Sequence, residues 1–201
     1  NTGIKHAKGD YVAFLDDDDT FEPEKLALQV SALEEAGDDV GFSFTGAYEI
    51  HDDYTNQKHT KEGVANYHEL ALRNFNAMIA STLMFRREVF EKVGYLDETF
   101  PTHTDIEFLI RVTKEYKGVG LDKALVRRMM QSGHTQMGSN IKNRIRGREM
   151  LLGRYHNEFE KHPTFLAKHL SLLGKFYRTL GDYNSAKRVF REALKIGRAH
   201  V

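Results

Sequence analysis

Asp16, Asp17, Asp18 and Asp19 stand in one unbroken run. Adjacent carboxylates repel one another, so such a run persists only where water solvates it or a cation is shared. Solvation is the ordinary fate of an acidic run. The surroundings here favour the cation. The run directly follows the apolar stretch Tyr11-Val12-Ala13-Phe14-Leu15, and open α/β sheets place their ligands at the C-terminal ends of strands. Side chains alternate along an extended chain, so Asp16 and Asp18 are expected to point the same way. Hard carboxylate oxygens at this spacing suit Mg²⁺ or Mn²⁺, ions that also hold a diphosphate. A calcium loop of the EF-hand type is excluded: its sixth position would be Phe21 where glycine is needed, and its twelfth Ala27 where glutamate is needed.

Two further residues carry chemistry of their own. Asp105 falls in the first turn of a helix predicted from Asp105 to about Tyr116, with Thr104 and Glu107 at capping-box spacing. A carboxylate there favours the helix macrodipole whatever its function, and it is also a group able to take a proton. His134 lies in the glycine- and serine-containing loop from Gln131 to Ser139. A loop histidine is usually just solvent-exposed, but its ring can also ligate a metal. Arg127 and Arg128, near a predicted strand end, are read as ordinary surface rather than as phosphate partners.

The elements that must position these groups alternate between strand and helix, which argues α/β architecture. A helix end over 1–8 and the turn Gly9-Asp10 lead into the strand Tyr11–Leu15, whose continuous apolar run predicts burial on both faces of a parallel sheet. Pro23 is expected to open a helix with the apolar stripe Leu26, Val30 and Leu33, closed by Gly37. Further strands are expected over 40–50, 78–86 and 119–129, short helices over 67–73 and 88–93, and loop over 52–63. From Ile141 to Lys195 only helical periodicity remains, broken near His162-Pro163. There, Leu170, Leu173, Gly174, Tyr177, Gly181, Tyr183, Ala186, Phe190 and Ala193 match the tetratricopeptide pattern of two antiparallel helices, over about 167–195. One such repeat cannot bury its own face, so these helices are expected to dock on the preceding domain or to be the first of a longer helical array, and they offer a surface for a protein partner. The segment 196–201 is expected to be a non-native tail.

Composition narrows the function classes. Lys plus Arg and Asp plus Glu both number 29 among 201 residues, so no broad basic field exists to hold nucleic acid. Cysteine is absent, which excludes disulfides, thiolate nucleophiles and Cys-ligated zinc. No apolar run reaches the roughly 20 residues of a membrane span. The expected setting is therefore cytoplasmic, peripheral to a membrane at most.

Asn1-Thr2-Gly3-Ile4, the stretch from Ala7 through Asp19, and Pro23-Glu24-Lys25-Leu26 together resemble the segment around the DxD motif of family 2 glycosyltransferases, inverting enzymes of the GT-A fold. Downstream, Phe85-Arg86-Arg87-Glu88-Val89-Phe90 and Val93-Gly94-Tyr95-Leu96-Asp97-Glu98 are similar to the strand and helix preceding that family's catalytic acid residue. The resemblance covers about residues 1–140. It implies a GT-A mixed sheet flanked by helices, followed by an all-helical extension over 141–195.

The resemblance also implies roles. Asp16 would lie near the donor ribose and diphosphate, with Asp17 beside it at the motif's variable position. Asp18 would be the main metal ligand and Asp19 its support, the metal being Mg²⁺ or Mn²⁺. His134, in a loop that closes over the donor in related enzymes, would complete the metal shell, with Ser139 as a further phosphate contact. Asp105 would be the base, although Thr104 stands where many members carry glutamate. The segment 74–82 would shape the acceptor pocket. The donor would be a nucleoside-diphosphate sugar and the acceptor a glycan, lipid-linked or protein hydroxyl. In the family the nucleotide base is bound by strands expected to precede Asn1, so this chain alone is expected to be inactive. Two other classes fit less well. An inactive scaffold would not need Asp16, Asp18 and Asp105 together, and a metal-dependent nucleotidyltransferase would favour a glycine-rich phosphate loop that the sequence lacks.

Overall fold

The computed structural model describes residues 1–73, 79–130 and 140–199. Among the described residues seven strands, β1 (Tyr11–Ala13), β2 (Thr20–Phe21), β3 (Val40–Ile50), β4 (Thr55–Lys58), β5 (Gly63–Ala65), β6 (Leu83–Arg86) and β7 (Lys117–Met129), join in one mixed sheet of order β1-β6-β3-β7-β2, with β4 added to β3 and β5 to β7. Its centre is β3 (Val40–Ile50), whose first eight residues are all buried. That burial is why both its faces carry apolar or small side chains. β3 runs parallel to β7 (Lys117–Met129), whereas every other pairing is antiparallel.

The strand before the acidic run is shorter than its apolar stretch predicts. β1 spans Tyr11–Ala13 and pairs antiparallel with β6 (Leu83–Arg86) at one end of the sheet order. Leu15 lies beyond it and is 52% exposed. A continuous apolar run therefore marks a strand correctly but misjudges both its burial and its pairing, because an edge position is set by distant partners. The segment expected to be loop over 52–63 holds β4 (Thr55–Lys58), and β5 (Gly63–Ala65) begins at its end. Both are polar or short strands, and they form because β3 and β7 offer ladder edges to pair with.

Besides the short helices α1 (Thr2–His6), α3 (His68–Leu72) and α4 (Glu88–Val93), helix α2 (Lys25–Ala36) starts two residues after Pro23 and ends at Gly37, whose φ of 91° suits glycine. Of the predicted stripe, Leu33 is buried and Val30 packs partly against the same core, but Leu26 is exposed, and Lys25 and Gln29 are buried in its place. Polar side chains are tolerated inside because they bond one another. Lys25 Nζ donates to Gln29 Oε1 at 2.6 Å and lies over the Phe21 ring at 4.0 Å. Gln29 Nε2 in turn donates to Ser43 Oγ and to the Thr82 carbonyl. Burial still pushes the Lys25 amine down to about 7.

The chain folds as two compact units: Asn1–Leu96 with Phe108–His134, and Asp97–Glu107 with Thr135–Val201. The first holds the sheet and an aromatic core in which Phe42, Phe85, Phe90 and Phe108 stack or meet edge to face. In the second, α6 (Ile141–Arg154) is capped by Asn140 Oδ1, which accepts from the Lys142 and Asn143 amides. α7 (His156–Lys161) follows, then α8 (Pro163–Leu180), with proline in its first turn and a left-handed Gly181 at its end. α9 (Tyr183–Ala199) pairs with α8. A Cβ on Gly174 would stand 2.7 Å from the Phe190 ring, so this glycine is what lets the two helices approach. Their shared core is Leu170, Leu173, Tyr177, Ala186, Val189 and Ala193, joined by Ile145. α9 runs into the segment expected to be a tail, and Ile196 packs partly against this core. His200 and Val201 lie outside the described residues. No helix among the described residues is long and apolar enough to cross a membrane.

Candidate active site

The four aspartates form a turn, not an extended strand end. The chain leaves β1 and reverses at Asp16–Asp19, where the Asp19 amide donates to the Asp16 carbonyl at 3.1 Å. It then enters β2 (Thr20–Phe21), which pairs with the end of β7. The expected alternation of Asp16 and Asp18 onto one side therefore fails, since it holds only for extended backbone. Depth separates the carboxylates instead: Asp16 and Asp17 are exposed, Asp18 is half-buried and Asp19 is only 8% exposed.

Ser81, fully buried in a 3-10 turn (Ala80–Thr82) just before β6, holds both ends of the acidic turn. Its Oγ accepts the Asp16 amide at 3.1 Å and its hydroxyl bonds the Asp19 carboxylate. Burial is the largest influence on the Asp19 carboxyl and raises its pKa. The bond from Ser81, the charge of Arg128 and the Met129 backbone act in the opposite direction, and the neighbouring Asp18 charge adds to the rise. Asp19 Oδ2 is left buried with no hydrogen-bond partner among the described residues. A carboxylate oxygen in that state is costly, and a cation at it would offset the cost. Ser81 gives no signal in the sequence, since a lone serine before a strand is ordinary. Arg128, read from the sequence as surface, is mostly buried, bonds Glu49 Oε1 at 3.3 Å and acts electrostatically on Asp19. Arg127 pairs with Glu22 at 2.7 Å.

Among the described residues no group of three or more His, Cys, Asp or Glu is arranged to hold a metal ion. A caged ion of the calcium type therefore does not suit these residues. A Mg²⁺ or Mn²⁺ ion that takes one or two carboxylates, with water and substrate phosphate completing its shell, does. His134 and Ser139 lie outside the described residues, as do positions 74–78 of the expected acceptor segment.

Asp105 belongs to the second unit. The helix that bears it, α5 (Thr104–Glu115), begins at the residue marked by the capping-box spacing. Asp105 is half-buried, and its Oδ1 accepts the Ile106 amide at 2.9 Å. Glu107 is fully buried, and its Oε1 accepts from Arg154 at 3.1 Å and from the Tyr155 hydroxyl at 2.8 Å. Arg154 also reaches Asp97 at 2.7 Å. The Thr99 hydroxyl and amide, with this arginine, hold the Asp97 carboxyl down to about 2. The segment Asp97–Glu107 is thus laced to α6 by ion pairs that span more than forty residues of chain, beyond the reach of local pattern.

Residues 1–94 match the family model described as glycosyl transferase family 2. Two curated relatives carry that activity in their names. One is the uncharacterized glycosyltransferase YwdF of Bacillus subtilis, 28% identical over 123 residues, which are 58% of this chain and 44% of the relative. The other is an uncharacterized glycosyltransferase of Haemophilus influenzae, 27% identical over 119 residues, 57% of this chain and 40% of the relative. The chain thus spans less than half the length of either. Among solved structures, S. aureus TarS 1-349 in complex with UDP-GlcNAc superposes with a TM-score of 0.59 at 14% identity, covering 97% of this chain and 70% of that one. At that identity the likeness establishes the fold, a GT-A mixed sheet with flanking helices and C-terminal helices.

Proposed function

We propose, from the match of residues 1–94 to the glycosyl transferase family 2 model, that the protein carrying this chain transfers a sugar from a nucleoside-diphosphate sugar to a hydroxyl acceptor, with inversion at the anomeric carbon. The observation that carries the reading is the buried, unpartnered Asp19 Oδ2 at the rim of the sheet, inside an acidic turn pinned by Ser81. The relation to a fold neighbour solved with UDP-GlcNAc supports a donor of that chemical class.

In this reading Asp18 and Asp19 hold a Mg²⁺ or Mn²⁺ ion, with His134 joining them by its place in the sequence, while Asp16 and Asp17 face the donor. The bound ion supplies charge neutralisation for the departing diphosphate. Asp105 accepts the proton of the attacking hydroxyl while that oxygen bonds to the sugar C1 and the bond from C1 to the diphosphate oxygen breaks. The acceptor is a glycan, lipid-linked or protein hydroxyl, in surface glycan or polysaccharide synthesis.

A thermal-shift panel of nucleoside-diphosphate sugars, with and without Mn²⁺, on the whole protein carrying this chain tests the reading. A ligand at a hundred times its Kd stabilises the folded state by about 2.7 kcal/mol. At least one donor should raise the melting temperature in a Mn²⁺-dependent way, and Asp19→Asn should remove that dependence. A panel in which no nucleoside-diphosphate sugar shifts the transition would sink it.

A further inference from the structure

The turn that leads into Asp105 is held in an unusual conformation. His103, two residues before it, has φ 66°, and no other described non-glycine residue has positive φ. Such a backbone is strained for a residue with a side chain and persists only where the surroundings enforce it. Here α6 enforces it. Arg148 Nη2 lies 2.8 Å from His103 Nε2, and Arg148 Nη1 lies 2.7 Å from His169 Nδ1. Arginine has donors only, so both imidazole nitrogens must accept. The His103 proton is then on Nδ1 and is donated to Thr102 Oγ1 at 2.8 Å, and the Thr102 hydroxyl donates to the Asn143 carbonyl at 3.1 Å. The result is a one-way chain of hydrogen bonds that starts at Arg148 and ends on α6 itself.

Two more features converge on the same turn. A Cβ at Gly147 would stand 2.4 Å from Thr102 Oγ1 and 2.7 Å from the Thr102 carbonyl oxygen, so only glycine lets helix and turn meet this closely. Arg148 is 3% exposed, its Nε has no hydrogen-bond partner among the described residues, and the two hydrogen bonds that place it go to imidazole nitrogens rather than to carboxylates. Burial, and after it the charge of Arg144, lowers the pKa of Arg148 to about 10, and the carboxylate whose charge opposes them is Asp105. A buried cation is expensive to keep. Retaining one beneath this turn, rather than an apolar side chain, points to a task beyond packing.

We infer that Arg148, acting through His103 and across the close approach at Gly147, is a positioning residue for Asp105. The first helix of the extension then belongs to the catalytic apparatus, because it sets the turn from which the proposed base projects. This rests on Asp105 being the base.

The test uses the whole protein carrying this chain. Arg148→Met, Gly147→Ala and His103→Asn are compared with wild type for kcat, donor KM, Mn²⁺-dependent donor binding and thermal midpoint, and Arg148→Lys is the conservative rescue. A misplacement of the order of 1 Å can cost about 100-fold in rate. The expected result is a kcat at least about tenfold lower in Arg148→Met and Gly147→Ala, with donor KM and donor binding unchanged, and partial recovery in Arg148→Lys. Asparagine tolerates the left-handed backbone, so His103→Asn keeps the fold testable if Arg148→Met fails to fold, and it too should lower kcat alone. An unchanged kcat, or losses of kcat that merely track the thermal midpoint and donor binding, would overturn the inference. Transfer that survives in Asp105→Asn would instead overturn the assignment of the base, so the two failures are distinguishable.

Discussion

Asp19 and Glu107 are both buried carboxylates, and their surroundings differ in one respect. Glu107, the more deeply buried of the two, is answered by Arg154 and the Tyr155 hydroxyl from its own chain. Asp19 has Ser81 on one side and an oxygen with no partner on the other. The first arrangement is complete as it stands, and removing it should cost stability. The second has an oxygen left without a partner among the described residues, and in the proposed reading a cation completes it, which is how a binding site would differ from a scaffold ion pair. Burial alone would rank them the wrong way round.

The largest expected effect tests the division of labour between the two regions. Asp105→Asn should lower transfer by about 10²–10⁴-fold, the usual worth of a general base, while Mn²⁺-dependent donor binding is kept. Loss of donor binding to the same degree would place Asp105 on the donor side instead. Next comes the direct contrast. Glu107→Ala leaves the buried Tyr155 hydroxyl without its acceptor and should cost about 1–3 kcal/mol in urea unfolding. Asp19→Asn removes a buried charge whose burial outweighs its partners, so in metal-free buffer it should leave stability unchanged or raised, while weakening Mn²⁺ binding measured by calorimetry. Equal destabilisation by both would erase the distinction.

Two pH effects sharpen it further. The Lys25 amine titrates at about 7 in the folded protein and near its ordinary value of 10.5 when unfolded. Between those values the unfolded chain binds more protons, so stability from this group rises with pH across that window. Lys25→Met should flatten the rise, and an unaltered profile of unfolding free energy against pH would show that the amine is solvated. The smallest effect belongs to Asp97. Its carboxyl titrates at about 2, below the ordinary 3.8, so its contribution is present above 3.8 and lost as pH falls toward 2. Asp97→Asn should lower the thermal midpoint slightly at neutral pH and not at all near pH 2.

Much of the scaffold is written in local pattern. Glu88–Val93 is helical as its residues predict, Val40–Ile50 is the central strand, and the glycine and proline signals bound α2, α8 and the helix pair with α9. These follow from side-chain periodicity and backbone restriction, which act over a few residues. The acidic run and Asp105 are also visible there, as residue types in suggestive places. What only tertiary structure decided is which of them are answered and which are not. The depth order within Asp16–Asp19 depends on Ser81, just before β6, and on Arg128 of β7, which β3 separates from β6 in the sheet. The inner face of α2 went to Lys25 and Gln29 because Ser43 and the Thr82 carbonyl were there to accept. The left-handed His103 exists because Arg148 and Gly147 meet it from a helix some forty residues later. A buried polar group is stable or unstable according to partners brought to it by folding, and sequence neighbours cannot report them.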